Sequence, residues 1–437
     1  MTKIILRNGR IINDGNDFVG DILVSEGVIQ EISEKQLSQN NYDIVECEGC
    51  IVSPGLIDIH VHFREPSSGN HEETTETGIA SAISGGFTTV CTMPNTTPAI
   101  DTPEMVLMAV ETASQFGKCR VLPTACATTS RNGESIAPIE AMVASGAIAI
   151  TDDGDVVEDG SMMSAVLEQC ANNNVPFMQH CQDPKATIGG VMNEGAVQRE
   201  LGYGSWPRSA EESIIARDIQ LNESIGAKWH AQHLSSGGSV ALLRQAQENG
   251  QPISGEASPH HLLLTDESCR EVGTMAKMNP PLRERHDIDA IKEGIAQGTI
   301  AILATDHAPH PMHTKEKPFS EASFGIVGLD CALALYAKAL IDDGVLDWSK
   351  MLAMMTTNPA SLINRPDLGR LTIGNLADIT IIDPNLQWTI DAQQFASTAR
   401  NCPFDGWEVK GKAIATIYGG SLVHQSLGNR INHCENA

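Results

Sequence analysis

The chain has 437 residues, 41% of them hydrophobic and 19% charged, a balance that suits a folded globular protein and excludes a disordered or fibrous one. Its formal net charge of -26 repels nucleic-acid phosphates and anionic lipid surfaces, so neither nucleic acid nor membrane is expected as a partner. No stretch reaches the roughly 18 uninterrupted apolar residues of a membrane span, and the opening Met1-Thr2-Lys3-Ile4-Ile5-Leu6-Arg7 turns polar too soon for a secretory leader, so the expected location is cytoplasmic.

The chain opens with short alternating strands and tight turns, predicted at 3–8, 21–25, 28–32 and 43–46. Cys47-Glu48-Gly49-Cys50 follows as a C-x-x-C with no second pair and no redox context, and it reads as a turn. The 11 cysteines are odd in number and mostly sit in apolar runs, as reduced core residues do. From Leu56 the texture changes. Strand runs at 56–62, 88–92, 120–125, 147–151, 176–180, 228–233, 252–257 and 300–305 alternate with helix-period segments such as 72–84, 103–116, 162–173, 211–225 and 239–248. Eight such alternations predict an α/β fold, a (β/α)8 TIM-type barrel over residues 54–366. Strand texture returns at 369–371, 377–383 and 413–420, so residues 1–53 and 367–437 are expected to form one small β-sandwich domain built from both termini.

The chemistry-bearing residues close the strand runs. In Ile57-Asp58-Ile59-His60-Val61-His62, positions i and i+2 share a strand face, so His60 and His62 can grip one metal ion while Ile59 and Val61 face the opposite layer. His180, His233 and Asp306 each end a further run. Barrel active sites are assembled at the carboxyl ends of strands, which places all five at one mouth. The run ending at Thr151 leads into Asp152-Asp153-Gly154, whose carboxylates serve either the same rim or a turn before the glycine. Imidazoles and carboxylates without thiolates suit Zn2+. They exceed the needs of one tetrahedral ion, whereas two ions sharing a carboxylate use them all. Such a centre lowers the pKa of a bound water to about 7 and polarises a carbonyl, the equipment for hydrolysing an amide-type bond. Asp306 is the candidate general base.

These residues resemble the amidohydrolase superfamily and, more closely, the bacterial class I dihydroorotases. The resemblance spans nearly the whole chain and rests on residues 54–66 around His60 and His62, Met93-Pro94-Asn95-Thr96, Thr151-Asp152-Asp153-Gly154, Pro259-His260-His261-Leu262, residues 277–283, residues 304–310 and residues 324–328. It implies interconversion of N-carbamoyl-L-aspartate and L-dihydroorotate in pyrimidine biosynthesis. It further implies one zinc on His60, His62 and Asp306, a second on His180 and His233, and Asp153 as the bridge. Arg64, Asn95 and His310 would bind the substrate carboxylate, with Asn279 and the backbone at Gly325 against the ring. A homodimer and a complex with aspartate transcarbamoylase are the assemblies the resemblance raises. Two alternatives stand beside it: a hydantoinase- or allantoinase-like hydrolase of another ring, and a non-catalytic dihydroorotase-like subunit, which retention of all four histidines and Asp306 opposes. Many superfamily members carry a carboxylated lysine where this chain has aspartates, which leaves the metal spacing open. Residues 309–324, rich in Pro, Lys and Glu after the last strand run, have the length of a lid.

Overall fold

A computed structural model describes residues 3–38, 41–66 and 73–432. Glu72, the expected start of one helix, lies outside them; the helix itself runs Thr75–Ser84 behind a Thr74/Thr77 capping box. Local chemistry sets two further helix starts as well. Thr102 caps Pro103–Ser114, where proline occupies the first turn and needs no N–H donor, and Asp159 caps Gly160–Asn172.

The parallel strands follow one another in a hydrogen-bonded succession. Leu56–Val61 pairs with Phe87–Thr92, which pairs with Arg120–Pro123. Bridges from Ala125 to Ile150 and from Ile150 to Phe177 carry the succession onward. Phe177–Gln179, Trp229–Ala231, Ile253–Ala257 and Ile302–Leu303 continue it, and a bridge from His307 to Val61 returns it to its start. The run expected at 147–151 therefore contributes only the two bridges at Ile150, and that expected at 300–305 shortens to Ile302–Leu303.

Burial follows this ring. A small apolar cluster takes Ile57, Ile59, Met93, Ala149, Met178 and Ala304 from segments all around it. A larger cluster packs Val61, Val90, Ile150, Phe177 and Trp229 with helix residues such as Val106, Leu167 and Leu243. Ile59 and Val61 thus fall into different clusters, contrary to the expectation that both face one layer. The pairing with Phe87–Thr92 shifts register between Asp58 and Val61, and such an irregularity breaks side-chain alternation.

The two ends of the chain share one nine-stranded sheet, ordered Ser421–Gln425, Glu408–Tyr418, Ile379–Thr389, Ile51–Pro54, Lys3–Asn13, Asn16–Ser25 and Val28–Ser33, with Asp43–Glu46 pairing Lys3–Asn13 and Ile431–Asn432. The strand texture expected at 369–371 is absent. Gly369 bends there with φ +68°, so close to the Thr356 carbonyl that an added Cβ would lie 2.4 Å from its oxygen. Cys47 and Cys50 close a turn through a backbone hydrogen bond of 2.8 Å, and all ten cysteines among the described residues are free and buried. Among the described residues no helix is long and apolar enough to cross a membrane.

Candidate active site

His60 and His62 converge on one carboxylate, with His62 Nε2 2.9 Å and His60 Nε2 3.4 Å from Asp306 Oδ1. Asp306 holds φ +48° and His233 φ +31°, left-handed conformations that non-glycine residues keep only where the surroundings enforce them. Asp58 supplies part of that enforcement beneath the site, accepting from Thr305 N at 3.1 Å and from His60 N at 3.0 Å. Burial pushes the Asp58 carboxyl up to about 7.

Asp152 and Asp153 take different partners. Asp152 turns away and accepts from the backbone of Ala127 and Thr128, a structural duty. Asp153 points inward: its Oδ1 lies 3.3 Å from His60 Nε2 and 3.8 Å from both His180 Nδ1 and His233 Nε2, and its Oδ2 lies 3.5 Å from His62 Nε2. Burial would raise its carboxyl, yet the imidazoles of His60, His62 and His180 hold it well below the usual carboxylate range. His180 and His233 meet edge to face, Nδ1 to Nε2 at 2.8 Å.

Five of the six side chains form groups that fit a divalent cation, and His180 stands against His233 beside them. His60 Nε2 and Asp153 Oδ1 are buried atoms without a hydrogen-bond partner, both aimed into the cluster. His60, His62 and Asp306 form one group whose ligand atoms lie within 4.8 Å of one another, and His60, Asp153 and His233 form a second. The donors are all nitrogen or oxygen, the set a borderline ion accepts.

A cavity of about 200 Å³ opens over this cluster, and Arg64, Asn95, Asn279, His310 and Gly325 all line it. Arg64 does not pair with its neighbour Glu65, which instead accepts from Thr75 N at 2.8 Å. Its guanidinium leans on the Pro309 carbonyl at 3.2 Å and approaches His310 Nε2 at 3.5 Å. Burial lowers the guanidinium to about 10 and the His310 imidazole to about 2, so Arg64 is a cation and His310 a neutral ring near pH 7. Asn95 is drawn toward the cluster, with Oδ1 3.0 Å from His62 Nδ1 and Nδ2 3.3 Å from Asp153 Oδ2. Asn279 Nδ2 donates to Gln182 Oε1 at 3.0 Å, and Gly325 holds φ +145°.

Residues 51–423 match the amidohydrolase family. The chain belongs to that family. It is 39% identical over 425 residues to a dihydroorotase of Pelobacter propionicus, covering 97% of this chain and 100% of that protein. It is 42% identical over 425 residues to a dihydroorotase of Endomicrobium trichonymphae, again over 97% of this chain and 100% of the relative. Among solved structures, an L-hydantoinase (dihydropyrimidinase) from Arthrobacter aurescens superposes with a TM-score of 0.86 at 25% identity, over 97% of this chain and 96% of that one. A dihydropyrimidinase from Brevibacillus agri shares the fold, with a TM-score of 0.82 at 18% identity, over 99% and 97% of the two chains.

Members of this family are metal-dependent, and in this amidohydrolase the candidate ligands are oriented by residues that sequence reasoning missed. Glu256 Oε1 takes His60 Nδ1 at 2.6 Å, its Oε2 takes His230 Nε2 at 3.1 Å, and it accepts from His233 N at 3.2 Å. Burial opposes the charge on Glu256, but His60 and His230 hold its carboxyl well below the usual range. Gln182 Oε1 sits 2.9 Å from His180 Nε2, which leaves Nδ1 facing the cluster. A charged residue inside the predicted strand 252–257 is the signal that marks Glu256 beforehand.

Proposed function

We propose that the chain is a zinc-dependent dihydroorotase of the bacterial class I type, interconverting N-carbamoyl-L-aspartate and L-dihydroorotate. What carries this reading is end-to-end likeness to dihydroorotases at 39% and 42% identity in a chain that groups His60, His62, Asp153, His233 and Asp306, with His180 against His233. Two zinc ions per chain are proposed, one with His60, His62 and Asp306 and one with His180 and His233, Asp153 being shared. When bound, they supply Lewis acidity at the ring amide and lower the pKa of water.

The chain's own groups divide the remaining work. Asp306, beside His62, takes a proton in the ring-opening direction and returns it to the leaving nitrogen. Arg64 forks onto the substrate carboxylate as a fixed cation, flanked by Asn95 and by neutral His310. Asn279 and the Gly325 backbone hold the ring. The returning succession of parallel strands supports a closed (β/α)8 barrel over residues 54–366. One apolar cluster drawing on Ile4, Val24, Val52, Ile381 and Ile417 supports a β-sandwich domain from residues 1–53 and 367–437. Buried free thiols accord with a reducing, cytoplasmic setting. Size-exclusion of the chain alone and with aspartate transcarbamoylase tests for a homodimer and for that complex.

The discriminating experiment assays the zinc-loaded chain on dihydroorotate, hydantoin and allantoin side by side. Dihydroorotate should be opened far faster than the other two, because only it offers Arg64 a carboxylate. Preference for hydantoin or allantoin would overturn the assignment.

A further inference from the structure

Lys277 and Lys315 are 1% and 0% exposed, yet neither meets a carboxylate among the described residues. Their amino groups donate to main-chain carbonyls. Lys315, at the end of the short helix Met312–Lys315, reaches Lys277 O at 3.1 Å and Ser323 O and Gly325 O at 3.0 Å each. Lys277 reaches Phe319 O at 2.6 Å and Ala322 O at 2.7 Å and lies 4.3 Å from the centre of the Phe324 ring. The backbone joins the same knot, with Gly325 N donating to Lys277 O at 3.0 Å and Ser323 N to Thr314 O at 3.1 Å.

Burying an amine is costly, and methionine would fill the same volume without that cost, so packing does not explain two of them side by side. Their partners do. Residues 319–325 form neither helix nor strand, and their inward carbonyls need donors that the backbone does not supply. The same stretch contributes Phe324 and Gly325 to the cavity, and residues 278 and 279, next to Lys277, contribute Met278 and Asn279. There is no slack in this wall: a Cβ on Gly325 would stand 2.5 Å from the His310 ring and 2.7 Å from Ala308 O.

We propose that Lys277 and Lys315 are positioning residues for the substrate, gathering the carbonyls of residues 319–325 so that Phe324, Gly325 and Asn279 form a fixed wall for the ring. The proposal rests on the dihydroorotase reading for the identity of that ring. Affinity depends on the two amines; the chemical step at Asp306 does not.

Lys315→Met and Lys277→Met in the zinc-loaded full chain should each raise KM for dihydroorotate about tenfold or more and leave kcat within about threefold. Hydrogen exchange without substrate should quicken in peptides covering 319–325 and stay unchanged in those covering His60, His62 and His180. Lys315→Gln keeps N–H donors without the charge and should recover part of both effects; if a methionine variant does not fold, the glutamine variant carries both readings. Unchanged KM with unchanged exchange, or a loss of kcat at constant KM, overturns the proposal. A native chain that leaves dihydroorotate intact overturns the substrate assignment instead, and exchange at 319–325 still decides the role of the lysines.

Discussion

The floor and the wall of the cavity are built on different principles. In the floor, side chains hold side chains: Glu256 orients His60, Gln182 orients His180, Asn95 orients His62, and Asp153 is ringed by imidazoles. In the wall, side chains hold backbone: Arg64 rests on the Pro309 carbonyl, Asn401 Nδ2 on those of Ala308 and Gly325, and Lys315 on three carbonyls at once. The floor is specified by residue identity at a few strand ends. The wall is specified by the path of an irregular loop, which many sequences could follow only if its carbonyls find donors. A defect in the floor should therefore strike turnover and metal, and a defect in the wall should strike affinity.

The largest effect is expected in the floor. Asp306→Ala should lower kcat by about a thousandfold or more, read in steady-state assays of the zinc-loaded variant, because it removes both a proposed ligand and the proposed proton carrier. Retention of kcat within a factor of about ten would break the assignment of that role. Next comes Glu256→Gln, which keeps the shape but weakens the hydrogen bond to His60. Competition with a chelator should show zinc affinity falling about ten- to a hundredfold, with little change in KM for substrate.

In the wall, Arg64→Lys replaces a planar fork by a point charge and should raise KM about tenfold while kcat holds. A fall in kcat at constant KM would place Arg64 with the floor. The smallest effect concerns pH. Burial, with Lys277 close by, lowers the Lys315 ammonium from 10.5 to about 7. The unfolded chain then binds more protons than the folded one between those values, so this group's contribution to stability rises with pH across that window. The Tm of the native chain should gain on that of Lys315→Met by a few degrees between about pH 7 and about pH 10. A difference that stays constant with pH would show that the amine is not shifted by burial.

The same contrast explains what was legible in the sequence. His60, His62, His180, His233 and Asp306 announced themselves because imidazoles and a carboxylate closing separate apolar runs have few other uses, and the structure gathers all five. The helix expected at 103–116 begins where it was placed, at Pro103, whereas the one expected at 162–173 begins two residues earlier, at Gly160, because Asp159 caps it. The strand pattern alone did not separate neighbouring Asp152 and Asp153, and only the resemblance singled out Asp153; adjacent side chains diverge, and the tertiary position of Ala127 and Thr128 shows that Asp152 is spent on backbone. Strand limits were overdrawn at 300–305 because the Asp58 carboxylate takes Thr305 N and Asp306 turns left-handed, neither of which the apolar run reveals. Nothing in the sequence marks Lys277 and Lys315 as buried, since lysines usually lie at the surface.

The most direct test of the floor is zinc stoichiometry measured together with dihydroorotate turnover in Asp153→Ala, beside the native chain. The native chain should hold two zinc ions and turn over; the variant should hold fewer and lose most of its activity. A variant that keeps the full zinc complement and native turnover would contradict a metal centre built around Asp153.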